Sequence, residues 1–512
     1  MKKILILLLL MSVFVFNTAF VGAAAIPDDV LVVADNFDAA SLDPAVAYEF
    51  TSCNTIQNVY DNLFVIDEGE VVPHLAESYQ ISEDGLKWTI KLREDAEFAS
   101  GNPINAEAVQ FSLQRSMEMG KGPSWMLNEV MSPESITVVD EYTLEIGLKF
   151  PASYFASVLS NTCAGIVDPE VVMAHEEDGD WGEGWLNGQS GEAASGPYKL
   201  VTWNRGDSIV LERNENYWGE KPNFRQVIIK NVSESVTQKM MLENGDIDMA
   251  YKLTPDQLAD LEANEDLNVI KGVDLRAYYL GMNVSKEPLN NLKVRQAIKH
   301  AIDYNAMIEH LVRGAGNKLE GAIVKPLLGY QEDMGVYEYN PEKAKQLLAE
   351  AGYPDGFDIE LTGISSTMWK QVISSVQNDL SAVGINAEVR QLNAAAFYEL
   401  FRNQQLELML SGWGSDYPDP HNFIHPFGHS EGSLTQRVAY SSKELDDLIE
   451  EAAEINDPEK RKELYHKIDR MLAEEGPWAM LYQPQNIVVL RNEVKGYEYN
   501  PVRIFDFTSA YK

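Results

Sequence analysis

The chain changes its hydrophobic period between its two halves. In the first half, LKWTIKL at 86–92 and YTLEIGLKF at 142–150 each place an apolar residue at nearly every second position. Such alternation predicts two half-buried strands that pair with each other. YKLVTWNRGDSIVLERN at 198–214 shows the same pattern around Gly206 and Asp207, which predicts a hairpin that turns at these two residues.

In the second half, the apolar residues recur every three or four positions, and helix start signals accompany them. In NPEKAKQLLAEAGYPDG, Asn340 is predicted to cap a helix whose first residue is Pro341. Asp457 and Pro458 repeat this opening. VQNDLSAVGINAEVRQL is typical of a helix, a glycine turn and a strand, which is half of a βαβ unit. Residues 280–480 are therefore predicted to form a compact α/β domain.

Residues 1–25 have the three parts of a secretory signal peptide. Lys2 and Lys3 precede an apolar run at 4–16, and three alanines follow at 23–25. The run is shorter than the ~20 apolar residues that a membrane-spanning helix needs, so a retained anchor is the less favoured alternative. No later stretch is apolar enough to cross a bilayer. The chain after residue 25 is predicted to be exported, soluble and periplasmic.

Composition narrows the range of partners. The 512 residues are 45% hydrophobic, and 41 basic residues face 79 acidic ones, for a net charge of −38. This much apolar material can build two or three domains. The acidic surface repels nucleic acid and anionic lipid, so neither is an expected partner. Cys53 and Cys163 are the only cysteines, and the sequence leaves open one disulfide or two separate thiols.

The sequence has no recognisable catalytic or metal-binding motif. It contains no GxSxG elbow, HExxH pair or Walker loop, so neither enzyme activity nor a cofactor is predicted. His421, His425 and His429 have the spacing that would place three imidazoles on one helix face, suitable for a metal. Pro426 and Gly428 disfavour a continuous helix, and three unrelated loop histidines are the preferred interpretation.

The segment LMLSGWGSDYPDPHNF at 408–423 is the strongest candidate for a ligand site. A buried strand is predicted to end in a loop that two prolines stiffen and two glycines allow to approach other atoms closely. Asp416 can bind an ammonium group, and Trp413 and Tyr417 can supply flat apolar walls. The alternative, which the residues leave open, is a turn in which Asp416 caps its own backbone and Trp413 is core.

Several segments also carry a family resemblance. They are HLAESYQISEDGLKWTIKLREDAEFASGNPINAEAVQFSL, GEAASGPYKLVTWNRGDSIVLERNENYWGEKP, LNNLKVRQAIKHAID, YNPEKAKQLLAEAGYPDGF and SGWGSDYPDPHNF, in this order. Together they resemble the family 5 extracellular solute-binding proteins of ABC importers, the dipeptide, oligopeptide and nickel group. The resemblance covers nearly the whole chain after residue 25.

The resemblance implies an α/β fold with two lobes that close on a ligand, the class II, cluster C clamp of periplasmic binding proteins. Lobe I would carry an extra subdomain, and the hinge would be two crossing strands, YYLGMN at 278–283 and YQPQNIVVL at 482–490. The implied limits are 26–278 for lobe I, with the extra subdomain at about 67–194, then 279–485 for lobe II and 486–512 for a return to lobe I.

The resemblance also assigns roles to residues. Asp416 matches the aspartate that holds the free amino group of peptides in similar proteins. The other candidates for the ligand site are Tyr48, Thr51, Ser52, Cys53, Asn54, Arg276, Tyr278, Trp369, Trp413 and Tyr417. The family's dipeptide binders carry an arginine before a lobe II helix to hold the ligand carboxylate. The matching stretch LTGISSTMWKQV has none, and Lys370 or Arg276 is a possible substitute.

The implied function is that of the substrate-binding protein of an ABC importer. Its ligand would be a peptide or amino-acid derivative with a free ammonium group, its partner an ABC permease, and a monomer is expected. A sugar, an opine or a metal chelate on the same fold, or a secreted peptidase, is the alternative. A peptidase would need a nucleophile with a base or a metal-bound water, and the sequence indicates neither.

Overall fold

The computed structural model describes residues 26–35, 38–67, 69–188, 190–336 and 338–512. The predicted signal peptide lies outside these residues and stays a prediction. Within the described ranges, no helix combines the length and the apolar character that a membrane crossing requires.

The strands in chain order are β1 Val30–Asp35, β2 Phe64–Asp67, β3 Glu70–Pro73, β4 Ala76–Ile81, β5 Lys87–Leu92, β6 Ile136–Asp140, β7 Thr143–Gly147, β8 Tyr198–Asn204, β9 Ser208–Arg213, β10 Gln226–Asn231, β11 Met249–Tyr251, β12 Leu267–Val273, β13 Arg276–Met282, β14 Gly316–Lys318, β15 Phe357–Ile364, β16 Ile385–Leu392, β17 Leu408–Gly414 and β18 Trp478–Arg491. The α-helices are α1 Phe50–Ile56, α2 Ala106–Met119, α3 Trp125–Val130, α4 Phe155–Leu159, α5 Pro169–Ala174, α6 Glu183–Leu186, α7 Ser235–Asn244, α8 Leu258–Glu262, α9 Leu292–Ala301, α10 Tyr304–Ala306, α11 Pro341–Glu350, α12 Thr367–Ala382, α13 Ala394–Arg402, α14 His421–Gly428, α15 Lys443–Glu454 and α16 Pro458–Glu475.

One mixed sheet runs through both lobes. Its strand order is β16-β15-β17-β13-β18-β11-β1-β10-β9-β8, and β12 and β14 pair with β18 beside this path. The long strand β18 is shared: its residues 478–484 pair with β13 and β14, and its residues 485–491 pair with β11 and β12. We call the part with β1 and β8–β12 lobe I and the part with β13–β17 lobe II.

The chain passes between these two parts at two neighbouring places. The first crossing is at residues 274–275, between β12 and β13, and the second is at 484–485, within β18. The backbone N–H of Asp274 donates to the carbonyl of Pro484 at 3.0 Å, which joins the two crossings. The predicted hinge strand at 482–490 contains the crossing at 484–485. The predicted hinge strand at 278–283 begins three residues after the crossing at 274–275. The lobe limits drawn from the resemblance stay predictions.

The strand predictions of the first half are confirmed. β5 pairs with β7 in a separate antiparallel sheet of order β4-β5-β7-β6. The apolar positions of the two strands, Trp88 and Ile90 against Leu144 and Ile146, are buried in one core. β8 and β9 form the predicted hairpin, and Gly206 adopts a φ of 76° at its turn, a conformation that glycine takes without strain.

The helix predictions of the second half are confirmed as well. The side chains of Asn340 and Asp457 accept hydrogen bonds from the first-turn backbone of α11 and α16, and proline is the first residue of each helix. β15 and β16 are parallel neighbours joined through α12, which completes the predicted βαβ unit. β17 pairs with both β15 and β13, and its carboxyl end leads to the site described next.

Candidate ligand-binding cleft

A cavity of about 320 Å³ lies between the two lobes. On the lobe I side it is lined by α1 and the residues before it, by Asn161 and Thr162, and by the C-terminal segment 501–504. The lobe II side is the loop 414–418, and the crossing residues 274–276 complete the wall. This volume lies within the ~300–1,000 Å³ of small-molecule sites. Asn161 and the C-terminal segment carry no motif, and sequence reasoning missed them.

Glycine at the end of β17 is required by the strand beside it. Gly412 pairs with Tyr278 of β13, and a Cβ atom on Gly412 would lie 2.7 Å from the Tyr278 ring. Any larger residue would displace this ring, because real Cβ atoms do not come so close to their neighbours. The sequence predicted that the two glycines let the loop approach other atoms closely. At Gly412 the closely approached group is the ring of Tyr278.

Trp413 supports the loop from behind and does not line the cavity. Pro426 lies inside α14, so the carbonyl four residues earlier, on Asn422, loses its normal helical donor. The indole N–H of Trp413 donates to this carbonyl at 2.8 Å, and the Trp413 ring packs against a lobe II core. Trp413 lines neither this cavity nor its neighbour and is partly buried, which favours the alternative, a tryptophan that packs on the core, over a ligand wall.

Asp416 is fixed through its backbone, and its carboxylate lines the cavity. The backbone N–H donates to Asn422 Oδ1 at 2.9 Å, and the backbone carbonyl accepts from Asn161 Nδ2 at 2.7 Å. The carboxylate Oδ1 accepts from the hydroxyl of Tyr48, across the cleft, at 2.7 Å. The backbone N–H of Asp416 is therefore capped by the side chain of Asn422 and not by the Asp416 carboxylate.

The Asp416 side chain is partly buried in this position. Among the described residues, no cationic group forms an ion pair with its carboxylate. Burial raises the pKa of Asp416, and the hydrogen bonds from Tyr48 and Asn422 offset part of this rise. Burial and the nearby Asp416 also raise the pKa of Tyr48, so its hydroxyl stays a donor. Such a carboxylate gains from a cationic guest.

The same loop is anchored to lobe II by a second aspartate. Asp419 is buried, and Arg461 of α16 forms a fork with it: Nη1 donates to Oδ2 at 2.9 Å and Nη2 to Oδ1 at 2.6 Å. The hydroxyl of Tyr465 accepts from Arg461 at 2.8 Å. Burial alone would lower the pKa of Arg461, but Asp419 and Tyr465 raise it. The loop therefore has a rigid base.

Tyr417 joins the loop to lobe I. Its ring is stacked on Tyr154 with ring centres 5.5 Å apart, and Tyr154 stacks in turn on His421 at 4.3 Å. Tyr417 lines the cavity and is also part of the core of the small sheet. The backbone N–H of Ser153 donates to the carbonyl of Ala453 at 2.8 Å, a further link between the lobes.

On the lobe I side, the candidates between Tyr48 and Asn54 lie in the helix α1 and in the residues before it. Tyr48, Cys53 and Asn54 line the cavity, and the buried Nδ2 of Asn54 has no hydrogen-bond partner in the structure. Thr51 and Ser52 do not line it, contrary to the prediction. The hydroxyl of Thr51 donates to Asp35 at 2.7 Å, and Ser52 is fully buried.

Arg276, Tyr278 and Trp369 meet at a second compartment of about 350 Å³. Arg276 and Gly414 line both compartments, which are therefore neighbours. Trp369 is largely buried, and its ring meets the Tyr278 ring edge-on at 5.2 Å. Lys370 lies outside both, in a surface depression with Gln371 and Ser374.

The positions of the three histidines in the structure differ from those that the sequence favoured. His421 and His425 lie in α14, which continues through Pro426, and His429 follows directly. The ring centres are 5.2 Å apart between the first and second histidines and 4.6 Å between the second and third. Their interpretation as unrelated loop residues is wrong. The helix persists because Trp413 replaces the donor that Pro426 lacks. In the described ranges, no group of residues has a metal-binding arrangement.

The two cysteines are both free thiols in the structure. The Sγ atom of Cys53 lies 3.6 Å from the hydroxyl of Thr162. Burial raises the pKa of Cys53 to about 11, so its thiol is protonated at neutral pH. It therefore contributes a neutral surface to the cavity.

The two lobes share one sheet, the chain passes between them twice, and residues of both line the cavity. This architecture is that of a clamp that binds a solute. The family model described as bacterial extracellular solute-binding proteins, family 5 Middle, matches residues 70–435. The chain belongs to this family, and the fold implied by the sequence resemblance is confirmed.

Individual relatives match nearly the full length. The chain is 30% identical over 505 residues to the probable D,D-dipeptide-binding periplasmic protein DdpA of Escherichia coli strain K12, with 96% of each chain covered. It is 29% identical over 510 residues to the glutathione-binding protein GsiB of the same strain, with 95% of each covered. The solved structure of DppA from Helicobacter pylori in complex with the peptide STSA is 28% identical, with a TM-score of 0.77 and coverage of 94% of this chain and 98% of that one. HbpA2 from Haemophilus parasuis is 27% identical, with a TM-score of 0.85 and coverage of 94% and 100%.

Proposed function

We propose that this chain is the periplasmic substrate-binding protein of an ABC importer and that its ligand is a short peptide or amino-acid derivative with a free ammonium group. The observation that carries the proposal is the Asp416 carboxylate, which lines the cavity between the lobes with a tyrosine hydroxyl as its partner and no ion pair among the described residues. An ammonium group placed there would form a charge-assisted hydrogen bond in a site of low polarity.

The relatives support a ligand of this kind. Two of them are named for a D,D-dipeptide and for glutathione, and one solved structure holds a peptide. The structure supports a mechanism by closure, because Tyr48 of one lobe bonds Asp416 of the other. A ligand that contacts both sides binds the closed form better than the open form, and this difference shifts the clamp towards closure. The closed, loaded form would be the one presented to the permease.

A thermal-shift screen tests the proposal. The probes are Ala-Ala, Ala-Leu and Ala-Ala-Ala, their N-acetylated forms, single amino acids, glucose, and nickel and iron chelates. Because a ligand at ~100 times its dissociation constant adds ~2.7 kcal/mol to the free energy of unfolding, stabilisation by free peptides and its loss on N-acetylation are expected. Stabilisation by a sugar or a chelate alone would contradict the proposal. The same samples, analysed by mass spectrometry, should contain intact peptides, since cleavage would indicate a peptidase instead.

A further inference from the structure

We propose that a latch beside the ligand cavity also holds the two lobes together, and that acid opens this latch by protonating His421. The small subdomain around β4–β7, on the lobe I side, contributes Ser153 and Tyr154 to the latch. Lobe II contributes Tyr417, His421 and Ala453. The latch acts on the balance between the open and closed forms before any ligand binds, so this inference does not depend on the proposed ligand.

The Tyr154 ring is the centre of the latch. It lies nearly parallel to the rings of His421 and Tyr417, with ring centres 4.3 and 5.5 Å away and interplanar angles of 7° and 11°. Beside it, the backbone N–H of Ser153 donates to the carbonyl of Ala453 at 2.8 Å. Tyr417 and Ala453 are part of the core that the subdomain builds. Ring stacking and the burial of apolar surface therefore both favour this contact.

The subdomain side of the latch is tied to lobe I. The side chain of Asn62 donates to the carbonyls of Leu159 and Asn161, at 3.2 and 2.6 Å, and so holds the end of α4. The neighbouring Asp61 accepts from the indole of Trp218, which lies between β9 and β10, at 3.0 Å. Tyr154 should therefore stay with lobe I when the lobes separate, and the stack on His421 would then break.

The latch fits a neutral histidine better than a charged one. His421 is buried, and its Nδ1 atom has no hydrogen-bond partner among the described residues. Burial and the nearby His425, Arg461 and His429 lower the pKa of His421 well below its ordinary value. A charged ring would keep some attraction to the Tyr154 ring. It would nevertheless be a buried cation near Arg461, and Asp419 is already paired with Arg461.

Several other titratable groups surround the latch. They are Glu129 of α3, Tyr154 before α4, Tyr417 and Asp419 of the loop, His425 and His429 at the end of α14, Asp446 and Glu450 of α15, and Arg461 and Tyr465 of α16. Burial raises the pKa of Glu129 and of Asp416, so acid favours the closed form at these two carboxyl groups. Burial and His429 lower the pKa of His425 to about 4. An effect of His421 must therefore be measured against a variant that lacks only this histidine.

The direction of the acid effect follows from the surroundings of His421. Opening removes Tyr154 from one face of the ring and lets water reach it, so the pKa of His421 should return towards its ordinary value of about 6.5. The open form then binds the proton more tightly than the closed form. The open-to-closed ratio should thus increase by up to about tenfold for each pH unit between the two pKa values. In acid, the latch would favour release of the solute that the clamp holds.

X-ray scattering of the ligand-free full chain, from about pH 7.5 to about pH 4.5, tests this inference. The scattering curves give the open-to-closed ratio, and circular dichroism at each pH reports whether the helices persist. Tyr154→Leu removes the stack, and His421→Phe keeps a ring that cannot be protonated. His175→Phe is the matched control, because His175 stacks on Trp185 at the same 4.3 Å but is exposed and outside the latch.

The wild type and His175→Phe should open in acid relative to His421→Phe, by a factor of at least about ten in the open-to-closed ratio. The helical signal should stay unchanged. Tyr154→Leu should already be more open than the wild type at neutral pH, because the stack is absent. The same acid response in His421→Phe as in the wild type would overturn the role of His421, as would a loss of helical signal together with the opening.

Other outcomes separate the latch from the proposed function. Tyr154→Leu that scatters like the wild type at every pH would show that the subdomain moves with lobe II, and would overturn the latch. Peptide binding without an acid response of His421 would overturn the acid-opened latch and leave the ammonium site. An acid-opened clamp that binds no free peptide would overturn the ammonium site alone. If His421→Phe does not fold, His421→Gln, which is also neutral, replaces it.

Discussion

Two aspartates of one loop, three residues apart, have opposite surroundings. Asp419 is buried, and both of its carboxylate oxygens accept from Arg461. Asp416 lines the cavity, and its carboxylate accepts from the neutral hydroxyl of Tyr48. Removal of a carboxylate from water is costly unless a cation compensates it. The protein supplies this cation to Asp419, and on the proposed function the ligand supplies it to Asp416.

On the proposed function, the comparison separates a structural aspartate, Asp419, from a ligand-binding one, Asp416. Asp419, together with Arg461, fixes the base of the loop, and the side chain of Asn422 fixes the backbone of Asp416. The cost of ordering the binding group is therefore met during folding and not during binding. A change at Asp419 should lower the free energy of unfolding, and a change at Asp416 should lower the affinity for the ligand.

The largest effect is expected for Asp419→Asn. This change leaves Arg461 buried without a counter-charge, which should lower the free energy of unfolding by about 3–5 kcal/mol. The matched variant Asp416→Asn removes no ion pair and should change it by less than about 1 kcal/mol. Urea unfolding followed by circular dichroism measures both. Equal losses in the two variants would show that the loop makes no such distinction.

The next effect is on binding. Asp416→Asn should weaken binding of the free peptide that stabilises the wild type most by about 1.5–3 kcal/mol, because a hydrogen bond to a charged group is lost. Calorimetric titration measures this loss, and Asp260→Asn is the control, since Asp260 is exposed and pairs with Lys239 outside the cavity. Unchanged affinity in Asp416→Asn would refute the ammonium site.

The third effect concerns pH. Burial raises the pKa of Asp416 in the unliganded protein above its ordinary value of about 3.9. A group with a raised pKa adds stability below the unfolded-state pKa, and this contribution is lost as the pH rises through the folded-state pKa. The stability of the wild type relative to Asp416→Asn should therefore decrease as the pH rises above about 4.

Peptide binding should have the opposite dependence. The ammonium group needs the ionised carboxylate, so the affinity of the wild type should increase as the pH rises over the same interval. Each unit by which the peptide lowers the pKa of Asp416 corresponds to about 1.4 kcal/mol of binding free energy. Titrations at several pH values measure this trend. An affinity that falls with rising pH would contradict the assignment.

The sequence predicts the elements and the loop, because these depend on local signals. The alternation at β5 and β7, the capping residues of α11 and α16, and the glycines and prolines around Asp416 all act within a few residues. The family resemblance supplies the clamp. Local signals do not assign Trp413, because its role follows from Pro426, thirteen residues later.

The partner of Asp419 is a second example. Arg461 is 42 residues away from it, and only the packing of α16 against the loop brings the two together. One sequence signal was present: Arg461 is on the same face of α16 as Tyr465, Ile468 and Leu472, which are buried. A charged residue in such a stripe predicts a buried partner, although its identity depends on the tertiary fold.

The smallest effect is expected for a change at Tyr48, which contacts Asp416 from lobe I. Tyr48→Phe removes the neutral donor of Asp416, a hydrogen bond of about 0.5–1.5 kcal/mol. Since this bond favours the ionised form, its loss should raise the pKa of Asp416 further in the unliganded protein. Carbon NMR of labelled aspartate carboxyl groups measures the titration, with Asp416→Asn to assign the signal. Tyr511→Phe, at an exposed tyrosine that does not line the cavity, is the control. A midpoint that stays the same or falls in Tyr48→Phe would mean that the two side chains do not bond across the cleft in solution, and that Asp416 obtains its partner from one lobe alone.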